Sequence, residues 1–165
     1  KFIIPSIPKS KNLSFNKMAT IRITRIFNFD MAHALPGYDG KCKNIHGHTY
    51  QLEVTVKGET LPENSTPKNG MLIDFSVLKN LINKELDERW DHALILKKDE
   101  NNQLHHELKK QFERVFFVDY SPTTENLLCD FAKRISAILP ENVSLFSLKL
   151  METPKSFAEW YASEN

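Results

Sequence analysis

The sequence predicts an α+β fold in which an antiparallel sheet is covered by helices on one face. Three observations lead there. Residues 21–33 and 46–56 alternate apolar and polar positions with a period of two, and residues 143–152 and 156–161 return to that pattern. Between the two pairs lie two stripes of apolar residues at helical spacing. Strands grouped at the ends of the chain with helices between them, ββααββ, form separate layers of sheet and helix.

Residues 1–17 contain four lysines, two prolines and no acidic residue, and read as a disordered N-terminal extension to a single domain spanning 18–165. The first strand carries Ile21, Ile23, Arg25, Phe27, Phe29, Met31 and His33 on one face. The second carries His46, His48, Tyr50, Leu52, Val54 and Val56. A Pro/Asn/Ser/Thr-rich connection leads to a helix capped by Asp74 or Ser76, with Phe75, Leu78, Leu81, Ile82 and Leu86 as its stripe. A second helix begins at Thr123 or Thr124 after Pro122 and presents Leu127, Leu128, Phe131, Ile135, Ile138 and Leu139. Phe146, Leu148 and Leu150 then share a strand face, and 156–161 is a final short strand. The charged stretch 97–114 places Leu104, Leu108 and Phe112 at helical spacing, which predicts an extra surface helix with His105 and His106 solvated.

The charge balance excludes two classes of partner. With 22 basic against 21 acidic residues and a net charge of +1, there is no electrostatic reason to expect nucleic acid or an anionic membrane. No apolar run approaches the roughly 18 residues of a membrane span, and the first 17 residues lack a secretory h-region. Of the two cysteines, Cys129 lies in the second helical pattern and reads as a buried reduced thiol, pointing to a reducing, cytoplasmic compartment.

Chemistry concentrates in residues 33–48. His33 ends one apolar face, His46 and His48 begin another, and antiparallel pairing of the two strands brings all three imidazoles to one end of the hairpin. Three imidazoles suit Zn²⁺ and leave a position open for water or substrate. Cys42 lies on the intervening loop between Lys41 and Lys43. It is either a reactive thiol or the fourth ligand of a closed structural site.

Two further groups stand out. Asp91 and His92 follow the first helix directly, and His92 is either a proton-transfer group near neutral pH or a histidine favoured by the helix C-terminus. Glu152 continues the apolar face of Leu148 and Leu150, so its carboxylate either leaves the core for solvent or awaits a ligand with paired donors. Glu125, in the first turn of the second helix, also has a simple helix-dipole role.

The stretches F-N-F-D-M-A-H, C-K-N-I-H-G-H-T-Y, G-M-L-I-D-F-S-V-L-K, L-D-E-R-W-D-H-A-L, P-T-T-E-N-L and L-M-E-T, in this order from about residue 20 to about residue 153, together resemble the 6-pyruvoyl-tetrahydropterin synthase family. That family includes the bacterial 6-carboxytetrahydropterin synthases of queuosine biosynthesis. The resemblance implies a tunnelling fold, whose sheets join into a trimeric barrel, two trimers stacking as a homohexamer. It implies zinc on His33, His46 and His48, a catalytic Cys42, Asp91 and His92 as a second proton-transfer pair, and Glu152 as the pterin anchor. Thr123, Thr124 and Glu125 match a further substrate-binding stretch.

The implied substrate is 7,8-dihydroneopterin triphosphate. The implied product is 6-carboxy-5,6,7,8-tetrahydropterin with acetaldehyde and triphosphate in the queuosine branch, or the 6-pyruvoyl compound in the biopterin branch. Three residues separate Cys42 from His46, as in the bacterial carboxypterin enzymes, whereas P-T-T-E-N resembles the animal form. The metal-to-thiol spacing lies nearest the chemistry and favours the queuosine branch. A zinc-stabilised scaffold without turnover is the non-enzymatic alternative.

Overall fold

A computed structural model describes residues 19–64, 66–99 and 102–165; the expected extension over 1–17 lies outside them. The chain runs β1 (Thr20–His33), a 3-10 turn (Lys41–Lys43), β2 (His46–Glu59), α1 (Phe75–Arg89), β3 (Ala93–Lys97), α2 (Gln103–Gln111), β4 (Val115–Val118), α3 (Thr124–Ile138), β5 (Ser144–Thr153) and β6 (Ser156–Tyr161). Asp74 caps α1 by accepting from the Ser76 amide at 2.8 Å, and Thr123 caps α3 by accepting from the Asn126 amide at 3.3 Å. Each cap satisfies an amide that the first helical turn leaves open.

All six strands form one sheet in the order β4-β3-β1-β2-β5-β6. The β1–β2, β2–β5 and β5–β6 pairs are antiparallel, as expected, but β3 lies parallel to β1 and β4 parallel to β3. The sheet is therefore mixed, and the ββααββ order gains two strands. Their sequences, A-L-I-L-K and V-F-F-V, are short apolar runs without alternation. Strands covered on both faces read that way, and periodicity does not separate them from helix.

The main core lies between the sheet and helices α1 and α3. Phe27, Phe29 and Met31 of β1 meet Tyr50, Leu52, Val54 and Val56 of β2, and all are buried beneath Leu78, Ile82 and Leu86 of α1 and Leu127, Phe131 and Ile135 of α3. Phe131 packs edge-on to Phe29 and against Trp90, with ring centroids 5.8 and 4.7 Å apart. Phe75 is exposed at the start of α1, outside the stripe expected to include it.

Helix α2 forms where the extra surface helix is expected, yet it covers the opposite face of the sheet. Phe116 of β4 packs against the main core, so the adjacent Phe117 points the other way. There it stacks on His105 of α2, centroids 4.7 Å apart. His105 is consequently buried, contrary to its expected solvation, whereas His106 is exposed. Helices thus occupy both faces at the β3–β4 edge.

Two further expectations are corrected. A register shift between Thr55 and Val56 pairs them with Ser147 and Leu145, so Leu145 enters the core and Phe146 turns to the other face beneath the Arg22 guanidinium. Such a bulge displaces the alternation by one residue. Cys129 is exposed rather than buried, because one residue past Leu128 its side chain rotates about 100° off the apolar stripe. Among the described residues, no helix is long and apolar enough to cross a membrane.

Candidate metal centre and active site

The β1–β2 hairpin assembles the centre. In its register His33 lies directly opposite His46 and Met31 opposite His48, so the end of one apolar face meets the beginning of the other. One nitrogen from each of His33, His46 and His48 lies within 4.8 Å of the others. Gly47, between two of them, is where the β1 backbone comes close: a Cβ there would stand 3.3 Å from the Met31 carbonyl oxygen.

The outer nitrogens are already engaged. His33 Nδ1 lies 2.7 Å from the Pro122 carbonyl and His46 Nδ1 lies 2.8 Å from the Asn44 carbonyl. A carbonyl only accepts, so both Nδ1 atoms carry a proton, and this orientation turns Nε2 of each ring inward. Those two Nε2 atoms are 3.1 Å apart. His48 Nε2 is buried without a hydrogen-bond partner among the described residues. Lone pairs facing each other at this distance repel unless a proton or cation lies between them. The donor set therefore fits a divalent metal that takes imidazole, and the carbonyls behind it fix ring orientation as second-sphere partners do. Burial makes His33 and His48 hold a proton less readily than the ordinary value of 6.5, which keeps the ligands neutral as metal binding requires.

Glu152 reaches this centre from β5. Its Oε1 is 3.5 Å from Nε2 of both His33 and His48, at ion-pair distance, and accepts a 3.4 Å hydrogen bond from the Tyr50 hydroxyl. Burial, reinforced by this carboxylate, pushes the Tyr50 phenol far above its usual range, so it remains a donor. Glu152 also lines a recess of about 580 Å³ beside Asn28, His48, Thr49, Gln51 and Met151. Of the sequence alternatives, its carboxylate faces the histidines rather than leaving for solvent.

Cys42 lies in the 3-10 turn, and its carbonyl accepts from the Leu35 amide at 2.9 Å, two residues beyond His33. The thiol is free, half-buried and not part of the 4.8 Å nitrogen group. Thr123 and Thr124 begin α3 immediately after Pro122, so the T-T-E turn adjoins the centre through that carbonyl; Glu125 is exposed.

Asp91 and His92 form a separate pair. His92 has a φ of 56°, which folds its ring back so that Nδ1 lies 2.9 Å from Asp91 Oδ2. Neighbouring residues seldom bond directly, and this left-handed turn is what permits it. The His92 side chain is 71% exposed and opens into a cavity of about 900 Å³ shared with Asp30, His48, Thr49, Phe112 and Arg114. Pro122, Tyr50 and Asn44 were not singled out by sequence reasoning. Two of them act through backbone carbonyls, which leave no residue-type signature, and Tyr50 continues the strand face that bears His46 and His48.

Comparison with known proteins agrees with these features. The 6-pyruvoyl tetrahydropterin synthase family profile matches residues 22–163. A Haemophilus influenzae protein named 6-carboxy-5,6,7,8-tetrahydropterin synthase is 38% identical over 141 residues, covering 84% of this chain and 97% of that protein. A Rickettsia typhi protein of the same name is 36% identical over 146 residues, covering 84% and 99%. Among solved structures, the Caenorhabditis elegans 6-pyruvoyl tetrahydropterin synthase shares the fold with a TM-score of 0.63 at 24% identity, over 88% of this chain and 97% of its own. An uncharacterized protein from Wolinella succinogenes reaches 0.72 at 21% identity, over 87% and 99%. With a profile match running from β1 past the end of β6 and relatives above 30% identity along nearly their whole length, the chain belongs to the 6-pyruvoyl tetrahydropterin synthase family.

Proposed function

We propose that this protein is a zinc-dependent lyase that converts 7,8-dihydroneopterin triphosphate and water to 6-carboxy-5,6,7,8-tetrahydropterin, acetaldehyde and triphosphate. The observation carrying this is the convergence of His33, His46 and His48, each with one ring nitrogen within 4.8 Å of the others, with a free thiol on the adjoining loop. The 6-carboxy product is supported by the names of the relatives at 36–38% identity and by the three-residue spacing of Cys42 and His46.

Zinc held by the three imidazoles would supply Lewis acidity toward the substrate's side-chain hydroxyls, making the adjacent C–H protons easier to remove. Glu152 receives two N–H donors from the aminopyrimidinone edge, a paired arrangement that a carboxylate accepts well. Tyr50 donates to Glu152 Oε1 and so helps hold its carboxylate for that contact. The Cys42 thiolate takes or relays a proton on one side of the carbon chain. On the other side His92 exchanges a proton through Nε2, because its Nδ1 is committed to Asp91. Thr123, Thr124 and Glu125 complete the substrate-binding wall at the start of α3.

We also propose assembly into trimeric barrels stacked as a hexamer. The support is an open sheet whose edges, β4 and β6, present unpaired backbone groups that a second copy can take up.

The test is product analysis. Zinc-loaded protein is incubated with 7,8-dihydroneopterin triphosphate, and the pterin and aldehyde are identified. Formation of 6-carboxytetrahydropterin with acetaldehyde supports the reading. A 6-pyruvoyl product moves the chain to the biopterin branch, and no consumption by zinc-loaded protein leaves only the scaffold.

A further inference from the structure

Arg114 precedes β4, and among the described residues it makes no hydrogen bond or ion pair to the histidine cluster or Glu152; its bonds go elsewhere. Its Nε donates to the Asp91 carbonyl at 2.8 Å and its Nη2 donates to the Asp87 carbonyl at 2.7 Å. The Asp87 carbonyl belongs to the last turn of α1. There the Trp90 and Asp91 amides both donate to Leu86 instead, leaving Asp87 without a helical partner. A guanidinium is suited to this position because it offers several donors in a rigid plane and its charge opposes the negative end of the helix. Its own backbone is fixed as well, since the Arg114 carbonyl accepts from the Leu94 amide at 2.8 Å.

The turn so clamped is the one that shapes the Asp91–His92 pair. His92 occupies a left-handed conformation at φ 56°, which a residue with a side chain keeps only when its surroundings impose it. From the β1 side, the Asp30 amide donates to Asp91 Oδ1 at 2.9 Å and the Asp30 carbonyl accepts from the His92 amide at 2.6 Å. From the β4 side, the Asp91 carbonyl is held by Arg114. Between these two clamps Asp91 Oδ2 lies on Nδ1 of His92, and His92 lines the cavity.

We propose that Arg114 is the positioning residue for the Asp91–His92 pair: by tying the Asp91 carbonyl to the end of α1, it holds His92 as the Nδ1–H tautomer with Nε2 free for proton exchange. This rests on the proposed proton-transfer role of His92. Arg114 lines the same cavity as His92, but its Nε and Nη2 are committed to the Asp91 and Asp87 carbonyls.

The experiment uses full-length, zinc-loaded Arg114→Ala and Arg114→Lys variants beside the unaltered protein. Two readouts are taken. The first is the ¹⁵N spectrum of the His92 ring, assigned by its loss in His92→Ala; the second is steady-state turnover of 7,8-dihydroneopterin triphosphate. In Arg114→Ala the Nδ1 signal moves toward that of a free imidazole, in which the Nε2–H tautomer predominates. The kcat falls by up to about 100-fold while KM changes little, as expected for a displaced reacting group. Arg114→Lys, whose single ammonium reaches one carbonyl, lies between the two and carries the test if the alanine variant does not fold. An unchanged His92 spectrum, or an unchanged kcat with wild-type zinc content, overturns the proposal. Failure of the unaltered protein to consume substrate would instead sink the proposed function, and the spectrum would still decide whether Arg114 sets the His92 tautomer.

Discussion

Replacing His33 and His46 separately by alanine distinguishes metal ligation from folding, because the two rings stand in different surroundings. His33 is 1% exposed, and its Nδ1 is the donor to the Pro122 carbonyl at 2.7 Å. His33→Ala leaves that carbonyl without its partner, at about 1 kcal/mol for an oxygen with a second lone pair. It also opens a space where the ring was, at about 1–3 kcal/mol depending on how far the site collapses. The sum, roughly 2–4 kcal/mol, corresponds to a Tm lowered by about 5–15 °C in a chain of this length. His46 is only partly buried, and its Nδ1 bonds the Asn44 carbonyl two residues away. Its removal costs less than about 1 kcal/mol. Both variants lose one of three ligands, so both should fall well below one zinc per chain. The assays are thermal melts of the chelated proteins and metal content after dialysis against zinc. Equal melting losses for the two variants would refute the assignment of His33 as a buried, hydrogen-bonded ring. Full zinc content in either would refute the three-histidine site.

Acidification should destabilise the chelated protein. Burial holds the proton affinity of folded His33 and His48 below the ordinary 6.5, so the unfolded chain takes up protons first. This stability is fully present above about 6.5 and declines as pH falls from 6.5 toward the lowered folded values. Melts recorded from about pH 8 to about pH 5 check it, and a Tm that rises on acidification through that window contradicts it. Gly58→Ala should lower the Tm by about 3–10 °C through overpacking of about 1–3 kcal/mol, since the new Cβ would stand 2.5 Å from both the Asn142 carbonyl oxygen and Leu72 Cδ1. An unchanged melt would show that the β2 edge and the segment before β5 yield without cost.

The sequence disclosed the hairpin and its histidines because one face of each strand is buried and the other is polar. Phe27, Phe29, Met31 and His33 obey that rule, as do His48, Tyr50, Leu52 and Val54. It concealed β3 and β4, where Leu96 and Val115 are buried as well as Ile95 and Val118 of the core, erasing the alternation. The bulge at Val56 and Leu145 was also hidden, since register shifts depend on the partner strand. At the centre, residue types and spacing were enough to bring His33, His46 and His48 together at one end of the hairpin. They were not enough for the Pro122 and Asn44 carbonyls, which any residue could provide, or for Arg114, whose partners are the backbone oxygens of Asp87 and Asp91. The direct Asp91–His92 contact depends on a left-handed turn that no spacing rule encodes.

The central claim separates ligands from chemistry: three histidines hold the metal and Cys42 moves a proton. Zinc content and turnover of Cys42→Ala, measured on the same preparation, test it most directly. The account predicts zinc equal to that of the unaltered protein together with loss of pterin formation. Loss of zinc along with the thiol would contradict it, making Cys42 a ligand of a closed site.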